Sequence, residues 1–227
     1  AGSPRMRLGV RLQLPTNQVF YRSLGYSVTS HHSHPGYSYP TYVSMTKDMS
    51  EPPQRLTEVA APNPAWPRQY EVEAQLLRLV FGSELVAIHH VGSTSVPGIY
   101  AKPVIDIMPL VRDIEVVDSF NSVMEALGYR PRGEYEIPGR RYFSRGTTLH
   151  SHHVHIYQVA NPEVNRHLAF RDYLRAHPDK ALMYSDHKRA VARQYPYDMY
   201  AYMDGKDELV KQLLAEALAW QKLGVKP

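Results

Sequence analysis

From Val104 to Val111 the chain reads VIDIMPLV, apolar throughout except for one carboxylate, Asp106. A nearly continuous apolar run of this length suits a strand covered on both faces, and so a sheet with helices packed against it. A lone charge in such a strand costs on the order of several kcal/mol unless a partner meets it. The partner of Asp106 is therefore the question that the rest of the sequence has to answer.

The composition narrows the classes open to the chain. Its 227 residues, 43% of them hydrophobic, suffice for one core of ordinary size. No apolar run approaches the roughly 20 residues of a membrane span, so a soluble cytoplasmic protein is expected. Cysteine is absent, which excludes disulfides, thiolate metal sites and cysteine nucleophiles. Any metal must be held by His, Asp, Glu or backbone. The net charge is +4, and no basic run interleaved with aromatics occurs, so nucleic acid is not an expected partner. Four of the 12 histidines fall between His150 and His155.

Two regions are expected, an N-terminal extension over residues 1–55 and a folded domain over 56–227. Between Met6 and Lys47 there is no acidic residue, while Arg7, Arg11, Arg22 and Lys47 are basic. That composition is transit-like and raises a mitochondrial alternative, although AGSPR ahead of Met6 also resembles a cloning remnant. Helical amphipathicity is poor there, and Tyr37, Tyr39 and Tyr42 alternate as an edge strand would. After Glu58 the pattern becomes regular. Pro67 stands at a helix N1 position, with Val72, Leu76, Leu79 and Val80 following at helical spacing up to Gly82. Leu85 to His90 reads as a strand. Asp113 is placed to cap a helix that Gly128 closes. Tyr129 to Tyr157 alternates as three antiparallel strands, and helices are expected over Pro162–His177, Pro178–Tyr195 and Asp207–Gln221. The fold class is α+β, with helices on a mixed, largely antiparallel sheet.

Chemistry concentrates at the turn before Asp106. In Gly92-Ser93-Thr94-Ser95 a glycine allows close backbone approach, and the amides can hold phosphate oxygens. Arg140 and Arg141 follow a tight turn, and His167, Arg171 and Arg175 lie i, i+4, i+8 along one helix stripe. With Lys102, they would make a receptor for a phosphate or carboxylate, arginine giving bidentate contacts. A solvated face paired with Asp172 and Asp179 is the plainer reading of that stripe. Ser93, Ser95 and Ser185 lack the strand-to-helix elbow of a hydrolase nucleophile.

The stretch HVGSTSVPGIYAKPVIDI, His90 to Ile107, resembles the signature of the GrpB family. Further matches follow in order: Trp66-Pro67, Leu127-Gly128-Tyr129, PGRRYF from Pro138, HHVH from His152, FRDYLR from Phe170, and Lys206. The resemblance covers about residues 58 to 221. It implies the fold of polymerase-beta-like nucleotidyltransferases, in which a Gly-Ser turn brings a nucleotide against a metal-bound carboxylate. ATP and a divalent metal are the cofactors that such transfer would use.

One position departs from that pattern. Those enzymes hold Mg²⁺ with two carboxylates spaced i, i+2 on a strand, and here the second position is Met108. By analogy the remaining ligands come from the neighbouring strand, where His153, His155 and Tyr157 face one way and Val154 and Ile156 the other. Asp106, His153 and His155 are thus the expected catalytic residues and also the candidate metal ligands, for an ion softer than Mg²⁺. His89 and His90 point to opposite faces, one to the pocket, while His150 and His152 read as loop residues. The expected ligand contacts are Gly92, Ser93, Thr94, Ser95, Lys102, Arg140, Arg141, Tyr157, Arg171 and Arg175. The leading expectation is an enzyme, transferase-like, on an anionic small molecule such as a nucleotide, a CoA-like compound or a carboxylate. A metal- and ATP-independent acid-base enzyme of the isomerase, cyclase or lyase kind is the alternative. A non-catalytic ligand-binding module is the third.

Overall fold

The computed structural model describes residues 5–12, 15–48, 57–146 and 150–224. The chain divides into two compact units, Ala1–Leu56 with Tyr197–Met199, and Thr57–Pro196 with Tyr200–Pro227. In the first, β1 (Arg5–Arg11), α1 (Pro15–Ser23), β2 (Ser27–His32) and β3 (Tyr42–Asp48) form an antiparallel sheet in the order β1-β3-β2. Val10, Val43 and Met45 are its buried centre. Tyr37 and Tyr39 precede the strand that begins at Tyr42, and they are exposed. The alternation of three tyrosines was therefore not an edge strand, because β3 lies in the middle of its sheet.

The second unit is α+β, as expected. Its helices are α2 (Trp66–Phe81), α3 (Asn121–Ala126), α4 (Pro162–Ala176), α5 (Pro178–Gln194) and α6 (Met199–Lys222). Its strands are β4 (Leu85–Val91), β5 (Ile105–Val111), β6 (Tyr129–Pro131), β7 (Arg140–Arg145) and β8 (His152–Gln158), in the order β4-β5-β8-β7-β6. Only β5 and β8 pair in parallel, the other neighbours being antiparallel. Strand alternation gives the sheet two different faces. On one, Ile105, Ile107 and Val111 of β5 and Val154 and Ile156 of β8 pack with Leu77 and Phe81 of α2. On the other, Met108, Leu110 and Tyr157 pack with Val91, covered by Val164 and Leu168 of α4. Asp106 belongs to this second face.

Two boundaries differ from expectation. A 3-10 segment, Glu115–Phe120, precedes the short α3, so the single helix expected after Asp113 is broken; Asp113 still accepts the Glu115 amide at 2.9 Å. The last helix begins at Met199, ahead of the expected Asp207, and runs through Gly205. A Cβ at that glycine would meet Val191 of α5 at 2.7 Å, so the close approach of the two helices suits glycine there.

Glu73 fixes α2 to the sheet. Its buried carboxylate accepts from the Tyr129 hydroxyl at 2.7 Å and from Arg145 at 2.9 and 2.6 Å. Arg145 also meets His152 at 2.9 Å, which puts His152 on the α2 face of β8 and corrects its reading as a loop residue. Removing one partner of a buried pair strands the other charge. Glu73→Ala should therefore destabilise the protein by about 3 kcal/mol in urea denaturation; a change under about 1 kcal/mol would show that the network bears no load.

Candidate functional site

Asp106 finds its partners across the parallel pairing of β5 and β8, where it stands in register with His153. His153 Nδ1 lies 3.2 Å and His155 Nε2 3.3 Å from the same oxygen, Oδ1. Burial alone would raise the Asp106 carboxyl, but hydrogen bonds and attraction from the two imidazoles outweigh it and hold it well below the usual carboxylate range.

Each histidine is oriented from behind. His150 Nδ1 lies 3.1 Å from His153 Nε2, so His150 belongs to the cluster rather than to a plain loop. Arg140 Nη1 lies 3.5 Å from His155 Nδ1, while its other donors reach the carbonyls of Tyr135 at 2.6 Å and Glu134 at 3.2 Å. A guanidinium has only donors, so it favours a lone pair on His155 Nδ1 and the proton on Nε2, facing Asp106. Tyr142 of β7 packs its ring 5.5 Å from His153 and 5.2 Å from His155. Its presence was readable only from strand register, since Tyr142 pairs directly with His155.

Beside Asp106 stands the Gly92 turn. Gly92 has φ +68°, and a Cβ there would approach Asp106 Cγ to 2.9 Å, so only glycine fits. The turn is held from inside. Ser95 Oγ donates to the Gly92 carbonyl at 2.6 Å, and Thr94 Oγ1 donates to Val104 O at 3.0 Å while meeting His90 Nε2 at 3.0 Å. Arg175 donates twice to Ser95 O, at 3.0 and 2.8 Å, and Arg171 donates to His90 O at 3.1 Å and to Asp172 at 2.7 Å. Tyr100 N donates to Ser185 Oγ at 2.8 Å. Thr94, Ser95 and Arg175 therefore shape the turn, a correction to their reading as direct ligand contacts. Tyr157 is likewise buried, its ring 6.0 Å from His167.

Arg141 is a second correction. Neighbours on a strand face opposite ways, so Arg141 leaves the face of Arg140 and binds Asp118 at 2.9 Å and Glu115 at 3.0 Å. His90 stacks on Tyr70, with centroids 4.7 Å apart, so it is the structural member of the His89–His90 pair. By register His89 shares the Asp106 face, opposite Met108. Met108 itself is fully buried, with no carboxylate in its place. Next to the turn a cavity of about 230 Å³ is bordered by Gly92, Ser93, His167, Arg171 and the apolar Phe170 and Leu214. His167 connects it to the cluster, 6.0 Å from His155.

The order of these parts along the chain is shared by a family. The model described as GrpB protein matches residues 57–216. The chain belongs to the GrpB family. UPF0157 protein YqkA of Bacillus subtilis is 47% identical over 170 residues, 75% of this chain and 50% of the relative, so this GrpB-family chain spans half of that protein's length. The glutamate-rich protein GrpB of Alkalihalophilus pseudofirmus is 33% identical over 156 residues, covering 66% of this chain and 90% of the relative. Among solved structures, GrpB from Enterococcus faecalis superposes with a TM-score of 0.70 at 42% identity, over 72% of this chain and 99% of that one. Among the described residues no helix is long and apolar enough to cross a membrane.

Burial lowers three histidines of this domain, His90, His152 and His167, to about 4. The unfolded chain protonates each near 6.5, so between pH 6.5 and about 4 it binds protons that the folded state refuses. Stability is thus highest above pH 6.5 and falls as the pH drops towards 4, by up to about 1.4 kcal/mol per pH unit for each ring. His90→Gln should flatten that slope in denaturation series at pH 6, 5 and 4.5; an unchanged slope would contradict the assignment.

Proposed function

We propose that this GrpB-family protein is an enzyme that acts on an anionic small molecule at the Asp106 face of the sheet. The observation that carries this reading is the sharing of one Asp106 oxygen by His153 and His155, beside a glycine turn that opens on a cavity. An ionised carboxylate held by two imidazoles costs more than a fold needs to stand up, and such clusters concentrate at functional sites. Asp106 orients the histidines, and a histidine carries the proton to or from the substrate. The main-chain amides of Gly92 and Ser93, with Arg140, Arg171 and Lys102, supply positive character for the anion. The α+β frame agrees with the nucleotidyltransferase likeness that the sequence implied, and a nucleotide or CoA-like substrate is its finer form.

The donor set bears on the metal. One oxygen of Asp106 and one nitrogen each from His153 and His155 lie within 4.8 Å of one another, and this mixed set suits a borderline divalent ion such as Zn²⁺ or Mn²⁺ better than Mg²⁺. These three residues would hold it, and it would supply Lewis acidity to a substrate oxygen. With Met108 in place of the second carboxylate, a two-metal transfer has no support here.

Arg140 behind His155 favours a second reading, metal- and ATP-independent acid-base catalysis. A cation at Nδ1 opposes the tautomer that ligation through Nε2 requires, because Nε2 must first give up its proton. Asp106→Asn should leave the fold intact and lower turnover by at least about 100-fold on either reading, given the usual share of general acid-base catalysis. Wild-type turnover in the variant would remove Asp106 from the reaction. Loss of activity to a chelator, restored by Zn²⁺ or Mn²⁺, selects the metal form; a bell-shaped pH profile indifferent to chelator and ATP selects the other.

A further inference from the structure

Lys188 on α5 is 2% exposed, and its Nζ has no hydrogen-bond partner. Its neighbour is the Tyr184 ring, 4.3 Å from Nζ to centroid, and a cation–π contact replaces only part of the lost hydration. Buried lysines that serve structure alone are paired with a carboxylate. The charges that act on it are a second lysine, Lys206 of α6, and Asp106. Burial and repulsion by Lys206 bring Lys188 down to about 7, against the pull of Asp106. Lys206 is itself lowered by burial, with Nζ 5.4 Å from the Tyr202 ring centroid. Tyr184 packs in one cluster with Val96 and Ile99, and Ser185 Oγ accepts from Tyr100 N at 2.8 Å, so α5 adjoins the segment that follows the Gly92 turn.

We propose that Lys188 and Lys206 form the seat for a phosphoryl group carried by the ligand of the Asp106 site. The proposal rests on the reading of that face as a ligand site and specifies the charge that the ligand brings. Two lysine ammonium groups offer more N–H donors than the two oxygens of a carboxylate can take up, whereas the oxygens of a phosphoryl group can accept from both. Lysine presents a compact charge with three rotatable donors, which suits phosphate oxygens approached from more than one direction. The stranded Nζ then gains the hydrogen bonds that the protein withholds from it.

The test uses the full chain and sodium pyrophosphate, read by calorimetry and by thermal shift, with sodium succinate as the carboxylate arm. Pyrophosphate should bind the wild type, and succinate should bind at least tenfold more weakly. Lys188→Met, similar in shape but uncharged, should weaken pyrophosphate at least tenfold while melting no lower than the wild type, because it removes an uncompensated buried charge. Lys211→Met, which removes an exposed charge on α6 already paired with Asp207, should bind as the wild type does. Asp106→Asn should keep pyrophosphate binding, so loss of turnover in that variant and loss of the seat in Lys188→Met are separate results. Unchanged binding in Lys188→Met, no binding to the wild type, or a preference for succinate would overturn the proposal. A lower melting temperature for Lys188→Met would also do so, by revealing an internal partner for the amine.

Discussion

One carboxylate oxygen, Asp106 Oδ1, receives two imidazoles from the neighbouring strand, and the geometry of the domain converges on that contact. It requires β5 and β8 to be adjacent and parallel, with Asp106 and His153 in register. A shift by one residue would send Asp106 into the apolar face and put Ile107 in its place. The register is pinned by Ile105, Ile107, Val154 and Ile156, whose burial against α2 selects a single alignment. The cost of an ionised group in the sheet is thus met by the packing that puts its partners opposite.

The glycine turn and the helices complete the frame. Gly92 lies so close to the carboxylate that any side chain would displace it. Arg175 of α4 donates twice to Ser95 O and Arg171 once to His90 O, which braces the turn and the strand end before it. Rigidity of this kind is what a site needs to hold reacting groups to within fractions of an ångström. The apolar wall from Phe170 and Leu214 then gives the cavity a side that repels water.

Much of this was legible in the sequence because it depends on local rules. The nearly continuous apolar run of β5 announced a doubly covered strand, and period-two alternation separated His153 and His155 from Val154 and Ile156. What escaped depends on partners distant in the chain. Arg140 and Arg141 look alike side by side, yet alternation sends one to His155 and the other to Asp118. Applying the same period to β7 would have separated them. Thr94 and Ser95 carry hydroxyls that suit a ligand, but Ser95 donates to the Gly92 carbonyl of its own turn and Thr94 to the Val104 carbonyl ahead of β5. Glu73 reads as one more charge on α2 until Tyr129 and Arg145 arrive from β6 and β7. The family match confirms the recognised signature over the second unit and leaves the chemistry to the side chains.

The central claim is that Asp106 accepts a proton-bearing nitrogen from His155 while Arg140 holds the other nitrogen bare. Nitrogen-15 NMR of the histidine rings at pH 8, in the absence of added metal, reads this directly. The account predicts His155 with its proton on Nε2 and a lone pair on Nδ1, a pattern that weakens in Asp106→Asn. A proton on Nδ1 of His155 in the wild type would contradict it, because neither Asp106 nor Arg140 could then be directing the ring.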